Sequence, residues 1–281
     1  SLSAIIPPSI IMIIYGSLTL VPVGHLFIGA LLPGLVCILV YVACIRVFAE
    51  AGTARETVMD DARLSARNVS AFVFVVGLMV VVFGGIYGGV VTAAEAGALG
   101  AGAALLGMLV MGRIGPRGIA ASLVDSVKVT AMLMIIVIGA QVFGRFLAFS
   151  RAPRELLAVM EPLVASPEIL VVILLLAFFL FGLFLESAAV MVLLIPIFMP
   201  ALEAAGVDLL WFGVMACFMI SLGLLTPPVG LSTYAACTAA REPVGPVFAR
   251  TGLFALAAAV VVAVVMIRVP EIVTFLPSRI R

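Results

Sequence analysis

Charge is scarce in this chain: 10% of its 281 residues are Asp, Glu, Lys or Arg, with 15 basic side chains against 14 acidic ones. A net charge of +1 provides no basic field for a polyanion, which excludes nucleic acid as a partner. Histidine occurs once, at His25, next to Gly24 in what reads as a short solvated loop. With a single histidine and no H-E-x-x-H pattern, an intramembrane enzyme would lack either its base or its metal ligands. The chain therefore reads as a non-enzyme, with no transition metal and no organic cofactor. The four cysteines, Cys37, Cys44, Cys217 and Cys237, lie in apolar runs without C-x-x-C spacing, so they read as small buried hydrophobes.

Apolar residues fill the space that charge leaves. Hydrophobic residues make up 65% of the chain and the mean hydropathy is +1.40, against roughly 45 to 50% apolar in soluble domains. Several runs approach the roughly 20 residues that a helix needs to cross a bilayer, and they lack the alternation of a membrane barrel. The expected fold class is an all-α membrane protein, a polytopic helical bundle. Apolar segments are expected at 2–18, 26–47, 71–91, 96–111, 122–149 and 253–269. Pro33-Gly34 should kink the second near its start. A polar connection is expected over 50–68 and a proline-containing linker over 150–168. Gly97, Gly100, Ala101 and Ala104 should allow close helix contact. Glu95, three residues after Thr92, reads as a helix cap, and Asp125 with Lys128 as an i,i+3 pair.

Two interruptions stand out. Ile220 to Gly230 reads I-S-L-G-L-L-T-P-P-V-G inside an otherwise apolar stretch of 209–240. Adjacent prolines remove two donors and clash with preceding carbonyls, so the helix should unwind and leave carbonyls near Gly223 to Thr226 without partners. Such groups are tolerated in a bilayer only where protein buries them or where they face water or an ion. A related Pro7-Pro8-Ser9 cluster opens the chain, followed by Tyr15 much as Tyr234 follows the second pair. Paired broken segments point to a repeat-built secondary transporter with its site between them. A third interruption, Glu186-Ser187-Ala188, divides arms at 169–185 and 189–202 that are short for full spans, so a re-entrant hairpin with its tip at these residues is expected.

The run F-G-L-F-L-E-S-A-A-V-M-V-L-L-I-P-I-F-M-P from Phe181 to Pro200, followed by F-G-V-M-A-C-F-M-I-S-L-G-L-L-T-P-P-V-G-L-S from Phe212 to Ser232, resembles the large membrane subunit of TRAP transporters (tripartite ATP-independent periplasmic transporters). I-I-P-P-S-I near the start, L-F-I-G-A-L-L-P-G from Leu26, G-G-I-Y-G-G-V-V-T-A-A-E-A from Gly84 and the closing P-E-I-V-T-F-L-P extend the likeness over essentially the whole chain. The resemblance implies a sodium-coupled importer of organic acids such as C4-dicarboxylates or sialic acid, multi-pass in the bacterial inner membrane. It also implies a periplasmic substrate-binding protein and a small four-helix membrane subunit as partners, and elevator-type movement of a transport domain. A sodium/dicarboxylate symporter or antiporter that works without a binding protein is the alternative.

The family carries a Gly- and Ser-rich hairpin ahead of its first P-P-S, so this chain is expected to be part of a longer polypeptide. On this reading 1–20 is the second half of a broken helix and 21–150 holds scaffold and connecting helices. Residues 151–245 form a transport-domain half, with hairpin at about 169–202 and broken helix at about 209–240, and 246–281 is the final helix and tail. Two positions depart from the family pattern: its T-P-T-E reads T-A-A-E at Thr92 to Glu95, and the Asn that often follows P-P-V-G-L is Ser232.

Sodium takes oxygen ligands, which an unwound helix offers as carbonyls and hydroxyls. Gly223, Thr226, Pro227 and Gly230, with Ser187 from the hairpin tip, are the expected sodium-binding residues. Pro7, Pro8 and Ser9 are the expected second half-site, and Glu186 and Ser232 the substrate-proximal residues. Glu186 keeps two readings, as a cap of the return arm or as a contact to ion or substrate. The balance of arginines (Arg46, Arg55, Arg63, Arg67, Arg113, Arg117, Arg241 and Arg250 against Arg151, Arg154, Arg268, Arg279 and Arg281) places the first group in the cytoplasm and the hairpin mouth outside it.

Overall fold

A computed structural model describes residues 6–48, 66–150, 155, 158, 166–240 and 243–279. The polar connection expected at 50–68 lies outside the described residues up to 65. So does most of the linker at 150–168, and with them Arg55, Arg63, Arg151, Arg154, Arg241 and Arg281. Among the described residues there is no strand. Twelve α-helices follow in order: α1 Ile10–Thr19, α2 Val23–Gly29, α3 Leu31–Phe48, α4 Ala66–Tyr87, α5 Ala93–Val110, α6 Pro116–Phe149, α7 Pro167–Gly182, α8 Ser187–Ala204, α9 Leu209–Gly223, α10 Leu231–Ala240, α11 Val244–Arg268 and α12 Glu271–Thr274. Among the described residues six helical stretches are long and apolar enough to cross a membrane, α2 and α3 acting as one of them, whereas α1, α7 and α9 are shorter. The return arm expected to be short at 189–202 is one of the six: it is α8, which the Glu186 cap starts at Ser187 and which runs for 18 residues.

The kink expected near Pro33 falls at Ala30, between α2 and α3. The position follows from covalent geometry: Pro33 donates nothing to Gly29 and its ring presses on that carbonyl, so the disturbance lies one turn upstream. His25 is not in a solvated loop. It lies half-buried in the first turn of α2, where its backbone N–H donates to the Pro22 carbonyl. The loop is displaced because Pro22, with its fixed φ, is a ready helix N-terminus. The four cysteines are buried and unpaired.

The chain divides into two compact units. One takes in α1 to α3, the second half of α6 and everything from α7 to α12; α9 is at its centre, packing on α1, α2, α7, α11 and α12. Every residue of α9 from Phe212 to Gly223 is buried, as expected of a helix apolar on all sides. α7 is two-faced. Leu170, Val171, Leu174, Leu175 and Phe178 turn inward while Ile169, Val172, Ile173, Leu176 and Leu180 are exposed, the pattern of a helix between protein and lipid. Phe178 meets Phe212 edge-on at 5.8 Å between ring centroids. Trp211 donates its indole N–H to the Met266 carbonyl at 2.9 Å, fastening the start of α9 to the end of α11.

The second unit contains α4, α5 and the first half of α6. α4 and α5 pack through small residues, as expected, but at Gly100 and Gly107: a Cβ on Gly107 would run into the Phe74 ring and one on Gly100 would come within 3.2 Å of Val82, while Gly97 faces open space. Thr92 and Glu95 form a complete capping box, with Thr92 N–H donating to Glu95 at 2.8 Å and Glu95 N–H to Thr92 Oγ1 at 3.3 Å. Lys128 pairs with Asp125 at 3.5 Å, both side chains well exposed.

Candidate functional site

α9 ends at Gly223 and the chain does not resume a helix until Leu231. Pro227 and Pro228 account for the interruption, and Gly230, at φ +52°, turns the chain back into α10. The bonds within Pro7-Pro8 and Pro227-Pro228 are both cis.

The expectation of orphaned carbonyls is corrected by the hydrogen bonds of this turn. Gly223 C=O accepts from Thr226 N–H at 3.0 Å, Leu224 C=O from Ser232 N–H at 3.2 Å, and Leu225 C=O from the Thr233 hydroxyl at 2.9 Å. The Thr226 hydroxyl donates to Leu222 C=O at 2.9 Å. The chain after the break thus folds back and satisfies the chain before it, which a linear reading misses because Ser232 and Thr233 lie eight residues downstream of their acceptors. Leu222 C=O also accepts from Leu225 N–H at 3.1 Å, but the Gly223, Leu224 and Leu225 carbonyls each retain a second lone pair, and each donating hydroxyl keeps its acceptor side. Coordination of a cation therefore needs no rupture of these bonds.

α7 and α9 run parallel. Their last residues, Gly182 and Gly223, meet backbone to backbone, for a Cβ on Gly223 would lie 2.7 Å from the Gly182 carbonyl carbon. Their first turns share one cavity of about 500 Å³, lined in part by Pro167, Glu168, Asp208 and Trp211. Parallel neighbours bring like ends of their dipoles together. At the amino ends each helix supplies its own compensating carboxylate, Glu168 in the first turn of α7 and Asp208 as N-cap of α9, bonded to Trp211 N–H at 3.0 Å. At the carboxyl ends neither helix has a basic residue in its last turn. Two partial negative charges are left together beside the proline break.

The hairpin tip follows directly. Glu186 is the N-cap of α8, accepting from Ala188 N–H at 2.9 Å and Ala189 N–H at 3.3 Å through one oxygen and from the Ser187 hydroxyl at 2.7 Å through the other. The capping reading of Glu186 is therefore realised in the structure. Its side chain is exposed and Ser187 is buried.

Of the remaining expected site residues, Gly223 and Gly230 are buried, Thr226 and Ser232 half-buried, and Pro227 exposed. Pro7 and Ser9 are buried and Pro8 exposed at the head of α1, which packs on α8 and α9. The structure thus joins the break to the end of the first hairpin arm through Gly182. Gly182 and the buried Thr233 are not singled out by the sequence pattern; the only trace of Gly182 is a glycine three residues before a long apolar run ends at Leu185.

The model of a family described as tripartite ATP-independent periplasmic transporter, DctM component, matches residues 1–272. The chain belongs to the DctM family. Among the relatives of this DctM-family chain is the C4-dicarboxylate TRAP transporter large permease protein DctM of Pseudomonas aeruginosa, 29% identical over 279 residues, covering 99% of this chain and 65% of that protein. The sialic acid TRAP transporter large permease protein SiaM of Vibrio cholerae is 29% identical over 231 residues, 82% of this chain and 54% of its own length. The ectoine/5-hydroxyectoine TRAP transporter large permease protein UehC of Ruegeria pomeroyi is 30% identical over 281 residues, 97% of this chain and 64% of its own. The chain thus spans between about half and two-thirds of the length of these permeases. The relatives are transporter permeases and not enzymes. Family membership together with the apolar helices makes this DctM-family chain a multi-pass protein of the bacterial inner membrane.

Proposed function

We propose that the chain is the main part of the large permease subunit of a sodium-coupled secondary transporter. It imports an organic acid, such as a C4-dicarboxylate or sialic acid, handed over by a periplasmic binding protein. A small four-helix membrane subunit completes the complex. The observation that carries the sodium reading is the meeting of the α7 and α9 carboxyl ends at Gly182 and Gly223, with no basic side chain in either last turn. A monovalent cation supplies the missing charge, and the break supplies oxygens.

In this reading Gly223, Pro227 and Gly230 contribute backbone oxygens and Thr226 its hydroxyl, which already points its hydrogen at Leu222 C=O and its lone pairs elsewhere. Ser187 completes the set from the hairpin, and Pro7, Pro8 and Ser9 form a second half-site through their backbone. Glu186 and Ser232 stand next to the substrate. The names of these three relatives speak of C4-dicarboxylates, sialic acid and ectoine, all compounds with a carboxylate, and that of a fourth speaks of isethionate, a sulfonate; this supports an organic acid as cargo. The hairpin and the broken helix, fastened backbone to backbone, are the part that moves as one body in an elevator step.

The test is uptake by the complete transporter, reconstituted with its small subunit and binding protein in liposomes, with and without an inward sodium gradient. Thr226→Ala is expected to raise the half-saturating sodium concentration by about tenfold, and Thr226→Ser to restore it. Uptake that is indifferent to sodium in the parent protein would refute the coupling; an unchanged sodium requirement in Thr226→Ala would refute the site.

A further inference from the structure

The sodium reading says where the ion sits but not what sets the width of its seat. We propose that Gly182, on the hairpin side, is a positioning residue that fixes the separation of the α7 and α9 carboxyl ends and thereby the choice among alkali cations; this inference rests on the sodium reading above. The contact is between main chains. A Cβ on Gly182 would come within 3.1 Å of the Ile220 carbonyl oxygen and 3.2 Å of Ile220 Cα, and one on Gly223 within 2.7 Å of the Gly182 carbonyl carbon and 2.9 Å of the Phe179 oxygen. No neighbouring side chain can swing aside to admit a methyl group, so the helix axes themselves must part. Other glycines of the apolar helices, Gly77, Gly84 and Gly139 among them, have nothing within 4 Å of a built Cβ. Close approaches elsewhere are of another kind: Gly107 and Gly213 face the rings of Phe74 and Tyr15, and Gly29 faces the carbonyl and side chain of Val273, whereas here two glycines of neighbouring helices lie main chain to main chain.

The two substitutions are unequal. At Gly182 the shortfall is a few tenths of an ångström, which a small outward shift of α7 can absorb; at Gly223 the obstacle is deeper and the burial complete. Carbonyls at a helix end are held by the helix and follow its axis, so parting the axes widens the oxygen cradle. A wider cradle holds a small cation less well than a large one, so lithium loses more than sodium.

Sodium- and lithium-driven uptake by the complete reconstituted transporter reads this out. Gly182→Ala is expected to raise half-saturating sodium by about tenfold with the maximal rate little changed, and to lower lithium-supported uptake by a larger factor than sodium-supported uptake. Gly139→Ala, in open space on α6, is the control and should match the parent. Equal half-saturating sodium and an equal lithium-to-sodium ratio in Gly182→Ala would overturn the inference while leaving the sodium reading intact; loss of sodium dependence in the parent would instead remove the reading on which it rests. Should Gly182→Ala not accumulate in the membrane, spin labels on exposed Phe181 and Val229 pose the same question in the otherwise unaltered protein, since all four native cysteines are buried. Sodium must then narrow the distance distribution between them where potassium does not. An identical distribution in both salts would also overturn the inference.

Discussion

The Tyr15 hydroxyl donates a 2.6 Å hydrogen bond to the carbonyl of Leu209, 194 positions away in the chain. The ring of the same tyrosine occupies the space that a side chain at residue 213 would need, since a Cβ on Gly213 would collide with it. One aromatic residue on α1 thus fixes both the height and the closeness of α9. Tyr15→Phe keeps the packing and removes the bond, a loss of about 0.5–1.5 kcal/mol. Gly213→Ala keeps the bond's partners and forces the ring away, a loss of about 1–3 kcal/mol. Thermal unfolding of the purified protein in detergent should rank them parent, Tyr15→Phe, Gly213→Ala from most to least stable.

Thr233 should behave as a clamp on the break. Its hydroxyl is buried and holds Leu225 C=O at 2.9 Å. Thr233→Val preserves shape and leaves a carbonyl with one partner fewer, whereas Thr233→Ser preserves the bond. If uptake is sodium-coupled as proposed, it should need a severalfold higher sodium concentration in the valine variant and approach the parent in the serine variant; equal curves for valine and parent would show that the clamp is not needed.

The turn after the prolines depends on a missing side chain. Gly230 has φ +52°, and a Cβ there would strike the Phe248 ring. Two costs therefore add in Gly230→Ala: a left-handed backbone at about 1 kcal/mol and the collision. Phe248→Leu should relieve only the second. A double-mutant cycle read by melting temperature should show Gly230→Ala to be partly, not fully, rescued by Phe248→Leu.

Asp208 caps α9 at Trp211 N–H and faces the shared amino ends of two parallel helices. Asp208→Ala should cost about 1 kcal/mol from the lost cap, and Asp208→Asn less, because the amide retains an acceptor oxygen. The melting temperature of Asp208→Asn should accordingly lie between those of the parent and Asp208→Ala.

What could be read along the chain was whatever depends on near neighbours. The prolines at 227 and 228 announce a break because each removes a donor from its own turn, and Thr92 with Glu95 announces a cap because the two groups are three residues apart. His25 reads as a loop residue and lies in a helix, because its neighbours Pro22 and Gly24 serve loops and helix starts alike. The fate of the broken helix's carbonyls depended on chain reversal through Gly230, which brings Thr233 onto Leu225 and has no local signature. Gly182 was hidden for a related reason: nothing adjacent to it reveals that the chain will return 41 positions later to lay Gly223 against it.

Trp211 is the chain's only tryptophan, and its indole is tied to Met266 at the far end of α11. The protein therefore carries a built-in optical reporter whose emission has a single origin. Any motion that draws α9 away from α11 exposes the indole N–H to a new environment and shifts its colour, so the working cycle can be followed in light without attaching a dye.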